Sequence, residues 1–178
     1  MKKTVLTFGI ISGVIVAVLM SITTAFAERI GFDRAVIVGY TVMVVAFLLV
    51  FFGIKSYRDN IGNGEITFGR AFTVGILITL ITCIFYVVSW EIIYYTFLQD
   101  FPEKYGNYMM EKARAAGATP EQIAQEAENV KQMKALLNNP LLGPLVIFLA
   151  EPLPVGLVMT LISAAILRKR RKQVEVPV

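Results

Sequence analysis

The run VLTFGIISGVIVAVLMSITTAFA at residues 5–27 holds no Asp, Glu, Lys or Arg. Coiled as a helix rising about 1.5 Å per residue, it is long enough to cross the roughly 30 Å hydrocarbon core of a bilayer. Three further runs of the same kind occupy 35–54, 72–97 and 141–167, and between them the four runs hold two acidic side chains, Glu91 and Glu151, and no basic one. In lipid a spanning segment must satisfy its own backbone polar groups, which a helix does internally. The expected class is therefore all-α: an integral membrane four-helix bundle, read as a single membrane domain over 1–178. The composition agrees, because 56% of residues are hydrophobic and 17% charged, against about 25% charged in a typical soluble domain. The single Cys83 falls inside the third run, so an intrachain disulfide and a cysteine metal cluster are both excluded.

Lys2-Lys3, an apolar run and Ala25-Phe26-Ala27 imitate a cleavable signal peptide. The run exceeds the usual signal core, however, and carries Gly9, Gly13, Ala17, Ser21 and Ala25 at an unbroken spacing of four. That pattern points to a permanent helix. In lipid, close approach of backbones over small residues supplies much of the attraction between helices. Comparable stripes run through Ala71, Gly75, Thr79 and Cys83 in the third run and Pro152, Gly156, Thr160 and Ala164 in the fourth. A step of four residues drifts about 40° around a 3.6-residue helix, so each stripe marks a local crossing. Such seams serve either packing within the chain or a homo-oligomer.

The basic residues place the ends. Lys2, Lys3, Lys55, Arg58, Arg70 and the Arg-Lys-Arg-Arg-Lys run at 168–172 fall on one side, while Arg29, Arg34, Lys104, Lys112, Arg114, Lys131 and Lys134 fall on the other. Five of the latter lie in the long 98–140 segment among Asp100, Glu103, Glu111, Glu121, Glu126 and Glu128, where basic residues weigh less in orientation. The expectation is a multi-pass protein of the cytoplasmic (inner) membrane with both termini cytoplasmic. Membrane lipid is its first partner, and the basic tail suits anionic headgroups. The tail has no interleaved aromatics and adjoins a span, so nucleic acid is not an expected partner.

Residues 55–72 form the most distinctive polar stretch, expected on the cytoplasmic side, with Lys55, Arg58 and Arg70 as a candidate loop motif. Asn60 to Gly64 is turn chemistry and Thr67 a helix cap. Gly62-Asn63-Gly64 hints at a phosphate loop, but Thr67 stands where the dinucleotide pattern needs glycine and no Gly-Lys-Ser/Thr follows.

The 98–140 segment is expected to be an extracytoplasmic helical hairpin. Pro102 suits the first turn of one helix and Gly117 its end, Thr119-Pro120-Glu121-Gln122 is a capping box, and Asn138-Asn139-Pro140 is a stop. Tyr105, Met109, Ala113 and Ala116 stripe the first helix, and Ile123, Ala127, Val130, Met133 and Leu137 the second.

Ionisable residues inside spans are functional candidates by default. Glu91, flanked by Trp90, Tyr94 and Tyr95, and Glu151, followed by Pro152 and Pro154, form the candidate intramembrane polar site. Two such carboxyls sharing a proton would serve a proton-linked carrier, whereas in the structural reading Trp90, Tyr94 and Tyr95 form an interfacial belt and a tyrosine hydroxyl satisfies Glu91. Pro152 and Pro154 remove the helix bonds to the carbonyls of Phe148 and Ala150, so a kink is expected beside Glu151. The chain has no histidine, and its spans hold no aspartate, zinc motif or Ser/His pair. Enzymatic activity, a catalytic residue, a cofactor and a metal are accordingly not expected.

Several blocks carry a resemblance: Lys3-Thr4-Val5-Leu6 with Gly9 and Ser12-Gly13, Gly39-Tyr40-Thr41 with Met43, and Phe51-Phe52-Gly53-Ile54-Lys55-Ser56-Tyr57-Arg58. With Ile66-Thr67-Phe68-Gly69-Arg70-Ala71-Phe72, Gly75, Tyr86 and Trp90-Glu91-Ile92, the chain resembles the bacterial domain of unknown function 4199 family. The resemblance implies a small four-span bacterial membrane protein without an established biochemical role or known small-molecule ligand. Glu91 and Arg70 lie inside its recognisable blocks. The leading functional expectation is an accessory or interaction subunit with a membrane-protein partner or a second copy, and the alternative is the proton-linked carrier.

Overall fold

The computed structural model describes residues 1–169, so Arg170, Arg171 and Lys172 of the basic tail lie outside the described residues. Among those residues the chain is all-α, with α1 Lys2–Ile30, α2 Phe32–Asn60, α3 Phe68–Phe97, α4 Phe101–Ala115, α5 Pro120–Leu137, α6 Leu142–Ala150 and α7 Pro152–Leu167. Four helical stretches are long and apolar enough to cross a membrane: Lys2–Ala27, Phe32–Asn60, Phe68–Phe97 and Leu142–Leu167. The first three helices run beyond their apolar cores. At 29 to 30 residues each they measure about 44 Å, which is the hydrocarbon layer plus its headgroup regions. The polar gap at 28–34 is thus almost wholly helical. Gly31 alone separates α1 from α2, at φ +84°, where a side chain would be strained.

The chain divides into two compact units, Met1–Tyr86 with the residues from Ala150 onward, and Val87–Leu149. In the first unit, α1 and α2 run antiparallel, with Ser12 Oγ donating to the Ala46 carbonyl at 2.8 Å. Alongside α3, a Cβ added at Gly9 would press on Ile81, and one at Gly13 on Phe85. Gly53 of α2 faces Ile78 and Phe8 in the same way. The α1 stripe is therefore buried at Gly9 and Gly13, half-buried at Ala17 and exposed at Ser21 and Ala25. That progression is the drift expected of a four-residue step on a straight helix.

The stripes of α3 and α7 face each other. A Cβ at Gly75 would meet Thr160, and one at Gly156 would meet Thr79 and Phe47. The threonine hydroxyls bond each other at 2.9 Å, and Thr79 Oγ1 reaches the Gly156 carbonyl at 3.4 Å. Polarity in this unit is inverted relative to a water-soluble core: Ser12, Thr79 and Thr160 are 0% exposed, whereas Ile37, Ile84 and Ile166 are 67%, 57% and 65% exposed. Aliphatic side chains outside and small hydroxyls inside suit lipid as solvent.

In the second unit, Pro102 lies in the first turn of α4, and Gly117 follows that helix at φ +82°. The capping box of α5 is fully formed, with Gln122 N–H donating to Thr119 Oγ1 and Thr119 N–H to Gln122 Oε1. α4 and α5 pack together where Gly106 admits Val130, and Lys134 Nζ pairs with Glu103. α5 stops at Leu137, and Asn139 Oδ1 then accepts from the Leu141 and Leu142 amides, opening α6.

Candidate functional site

Glu151 occupies the N-cap of α7 at φ −112° and ψ −78°, so the fourth apolar run is two helices meeting at this residue. The cause is local. Pro152 and Pro154 carry no amide hydrogen, and the Pro152 ring would clash with a continuing helix. The carboxylate is half-buried, and Tyr86 Oη donates to its Oε2 at 2.5 Å. Tyr86 itself is buried. Its meeting with Glu151 follows from the antiparallel register of α3 on α7. That register pairs Gly75 with Thr160 and Thr79 with Gly156, so a position two turns beyond Thr79 on α3 comes level with the start of α7. The result is a carboxylate at apolar depth with one phenolic donor, set at the positive end of a helix dipole. Such a carboxylate can accept further hydrogen bonds or pair with a cationic group.

The other sequence candidates are placed as follows. Glu91 is half-buried on the last turns of α3 in the second unit. Tyr94 is buried, stacks on Trp90, and donates through its hydroxyl to Asn138 Oδ1 at 2.9 Å. Tyr95 is exposed and meets Tyr94 edge to face. Trp90 also lies edge-on to Phe101 at 5.8 Å, and Phe101 stacks on Tyr105 at 5.7 Å. Gly9, Gly13, Gly75, Thr79, Gly156 and Thr160 all lie in seams between helices of the first unit.

The expected loop motif lies on helix ends instead, because α2 continues to Asn60 and α3 begins at Phe68: Lys55 and Arg70 are exposed, and Arg58 Nε pairs with Asp59 at 2.7 Å. Thr67 Oγ1 accepts from the Arg70 amide at 3.4 Å, the cap bond that starts α3. Sequence reasoning missed what holds the loop. The Ile66 amide donates to the Lys169 carbonyl at 3.0 Å, and the Lys169 amide to the Ile66 carbonyl at 2.9 Å. No local pattern announces an isolated bridge between residues so far apart. Ile66 itself is buried.

Two groups of α5 show displaced proton affinities. The Glu103 carboxylate beside Lys134 holds its ammonium above the ordinary value, and the Glu121 carboxyl is lowered by its own backbone amide and then by Thr119. Among the described residues no three His, Cys, Asp or Glu side chains stand together as a metal site.

Inverted polarity, glycine seams and four helices long enough for a bilayer define a polytopic helical membrane protein. The chain belongs to the family described as "Protein of unknown function (DUF4199)", whose model matches residues 7–169. Neither a curated protein nor a solved structure matches it.

Proposed function

We propose that the protein is an accessory or interaction subunit of the bacterial cytoplasmic membrane, with both termini in the cytoplasm and the α4–α5 segment outside. The observation that supports it is how the buried hydroxyls of the first unit are used. Ser12 and the Thr79/Thr160 pair are spent on bonds within the chain, and glycine seams close the helices on one another. A bundle so fastened serves as a fixed surface for a neighbour, and the sequence holds no histidine, the general base of Ser/His hydrolytic chemistry. The orientation rests on charge. Lys2, Lys3, Lys55, Arg58, Arg70, Arg168 and Lys169 gather at one end of the first unit, and Arg29 and Arg34 at the other; the basic end faces the cytoplasm under the positive-inside rule.

Crosslinking in native membranes, followed by purification of the adduct, tests this reading. A stoichiometric membrane-protein partner retained by Glu91→Gln and Glu151→Gln variants is the expected result. Reporter fusions that place the two termini on opposite faces would refute the orientation. A second reading, a proton-linked carrier, is favoured by one observation, the Glu151 carboxylate bonded to Tyr86 at a broken helix. It requires that the purified protein alone move solute or protons in proteoliposomes and that Glu151→Gln abolish the flux.

A further inference from the structure

The bridge between Ile66 and Lys169 ties the loop before α3 to the segment after α7, and so draws basic residues from three helix ends together. Lys55 and Arg58 come from the last turns of α2, Arg70 from the first turn of α3, and Arg168 and Lys169 follow α7. Lys55 and Arg58 lie on α2 within about one turn of Asp59, and the bridge sets Lys169 against Ile66 in the linker that follows α2. Arg58 is already bonded to that carboxylate at 2.7 Å. Among the described residues, no carboxylate pairs with Lys55, Arg70, Arg168 or Lys169. Five cations against Asp59 and Glu65 leave a net positive surface where the apolar spans end.

From this placement we infer that the clasped end of the first unit is a binding site for the phosphodiester headgroup of an anionic phospholipid. Three features select a lipid over a free anion. The cations sit at the ends of helical stretches long and apolar enough to cross a membrane. The adjoining α2 and α3 surfaces expose Phe52 and Phe68 to acyl chains, at 50% and 41%. Long Lys and Arg stems reach from apolar flanks to polar headgroups. The bridge fixes the Lys169 backbone against Ile66 in the α2–α3 linker before any lipid arrives, so less backbone ordering remains to be done on binding.

The inference rests on the bilayer-embedded reading, and the two fail differently. A chain that stays monomeric in water without detergent ends the reading. A detergent-requiring chain indifferent to headgroup ends only the inference. The test is native mass spectrometry of the full-length protein in detergent, titrated with phosphatidylglycerol or phosphatidylcholine. Lys55→Gln/Lys169→Gln is compared with Arg29→Gln/Arg34→Gln, which removes the same charge from the opposite end. Phosphatidylglycerol should bind preferentially, and the first double variant should weaken it about 30-fold. The second should leave it within about twofold, with circular dichroism confirming that both variants are folded. Equal affinity for the two lipids, equal weakening by both double variants, or displacement of the lipid by equimolar inorganic phosphate would each overturn it.

Discussion

Gly156→Ala is the sharpest probe of the α3–α7 seam. The added methyl lands 2.8 Å from two Phe47 ring carbons and closer still to Thr79 Cγ2. Both neighbours are 0% exposed, so neither can swing aside and the helices must separate. Overpacking of this kind costs about 1–3 kcal/mol, and loosening the Thr79 to Thr160 bond adds about 0.6 kcal/mol. Replacing a helical glycine returns about 0.5–1 kcal/mol. The net expectation is a loss near 2 kcal/mol, about a 30-fold drop in the folding equilibrium constant. Reversible unfolding in mixed micelles, followed by far-ultraviolet circular dichroism, reads it directly. Gly39→Ala is the control, because nothing lies within 4 Å of its Cβ, and it should be neutral or stabilising. Thr79→Ser deletes the clashing methyl but keeps the hydroxyl, so Thr79→Ser/Gly156→Ala should recover part of the loss. Equal stability of Gly156→Ala and Gly39→Ala would refute the seam, as would absence of any rescue.

Three other perturbations test separate contacts. Tyr86→Phe strips Glu151 of its phenolic donor and should destabilise the protein by about 1–3 kcal/mol, measured in the same unfolding experiment; no change would mean that the carboxylate is satisfied elsewhere. A Thr79→Val and Thr160→Val double-mutant cycle should give a coupling of about 0.6 kcal/mol and no more than about 1.7 kcal/mol; zero coupling would remove the hydroxyl pair from the packing argument. Lys134 has a higher proton affinity folded than unfolded, so its link to Glu103 contributes fully below the ordinary lysine value of 10.5 and is lost as pH climbs through the raised folded value. Thermal melts between neutral and strongly alkaline pH should show this decline, and Lys134→Met should abolish that component.

The spans and helix ends were legible because their causes are local. The apolar runs, the Thr119 capping box, the stop at 138–140 and the break beside Glu151 each follow from residues within one or two turns. The small-residue stripes were legible as seams, but not their partners. Only the register of α3 against α7 shows that two of the three stripes meet each other. That same register brings Tyr86 to Glu151, a pairing that neither residue's neighbours foretell. Helix continues through most of 28–34 beyond the apolar runs, since charged side chains end an apolar pattern without ending a helix. The Ile66 to Lys169 bridge was invisible for the converse reason: it is made by backbone groups, which every sequence supplies equally.

That bridge also sets an order of events during synthesis. Ile66 leaves the ribosome about a hundred residues ahead of Lys169, an interval of roughly 5–20 s at ordinary elongation rates. Throughout it the linker between α2 and α3 has no strand partner, and the Gly75/Thr79 face of α3 lacks the helix that will cover it. Closure of this seam therefore waits for α7, and a nascent chain stalled before α7 emerges would present both surfaces to insertion factors and membrane proteases.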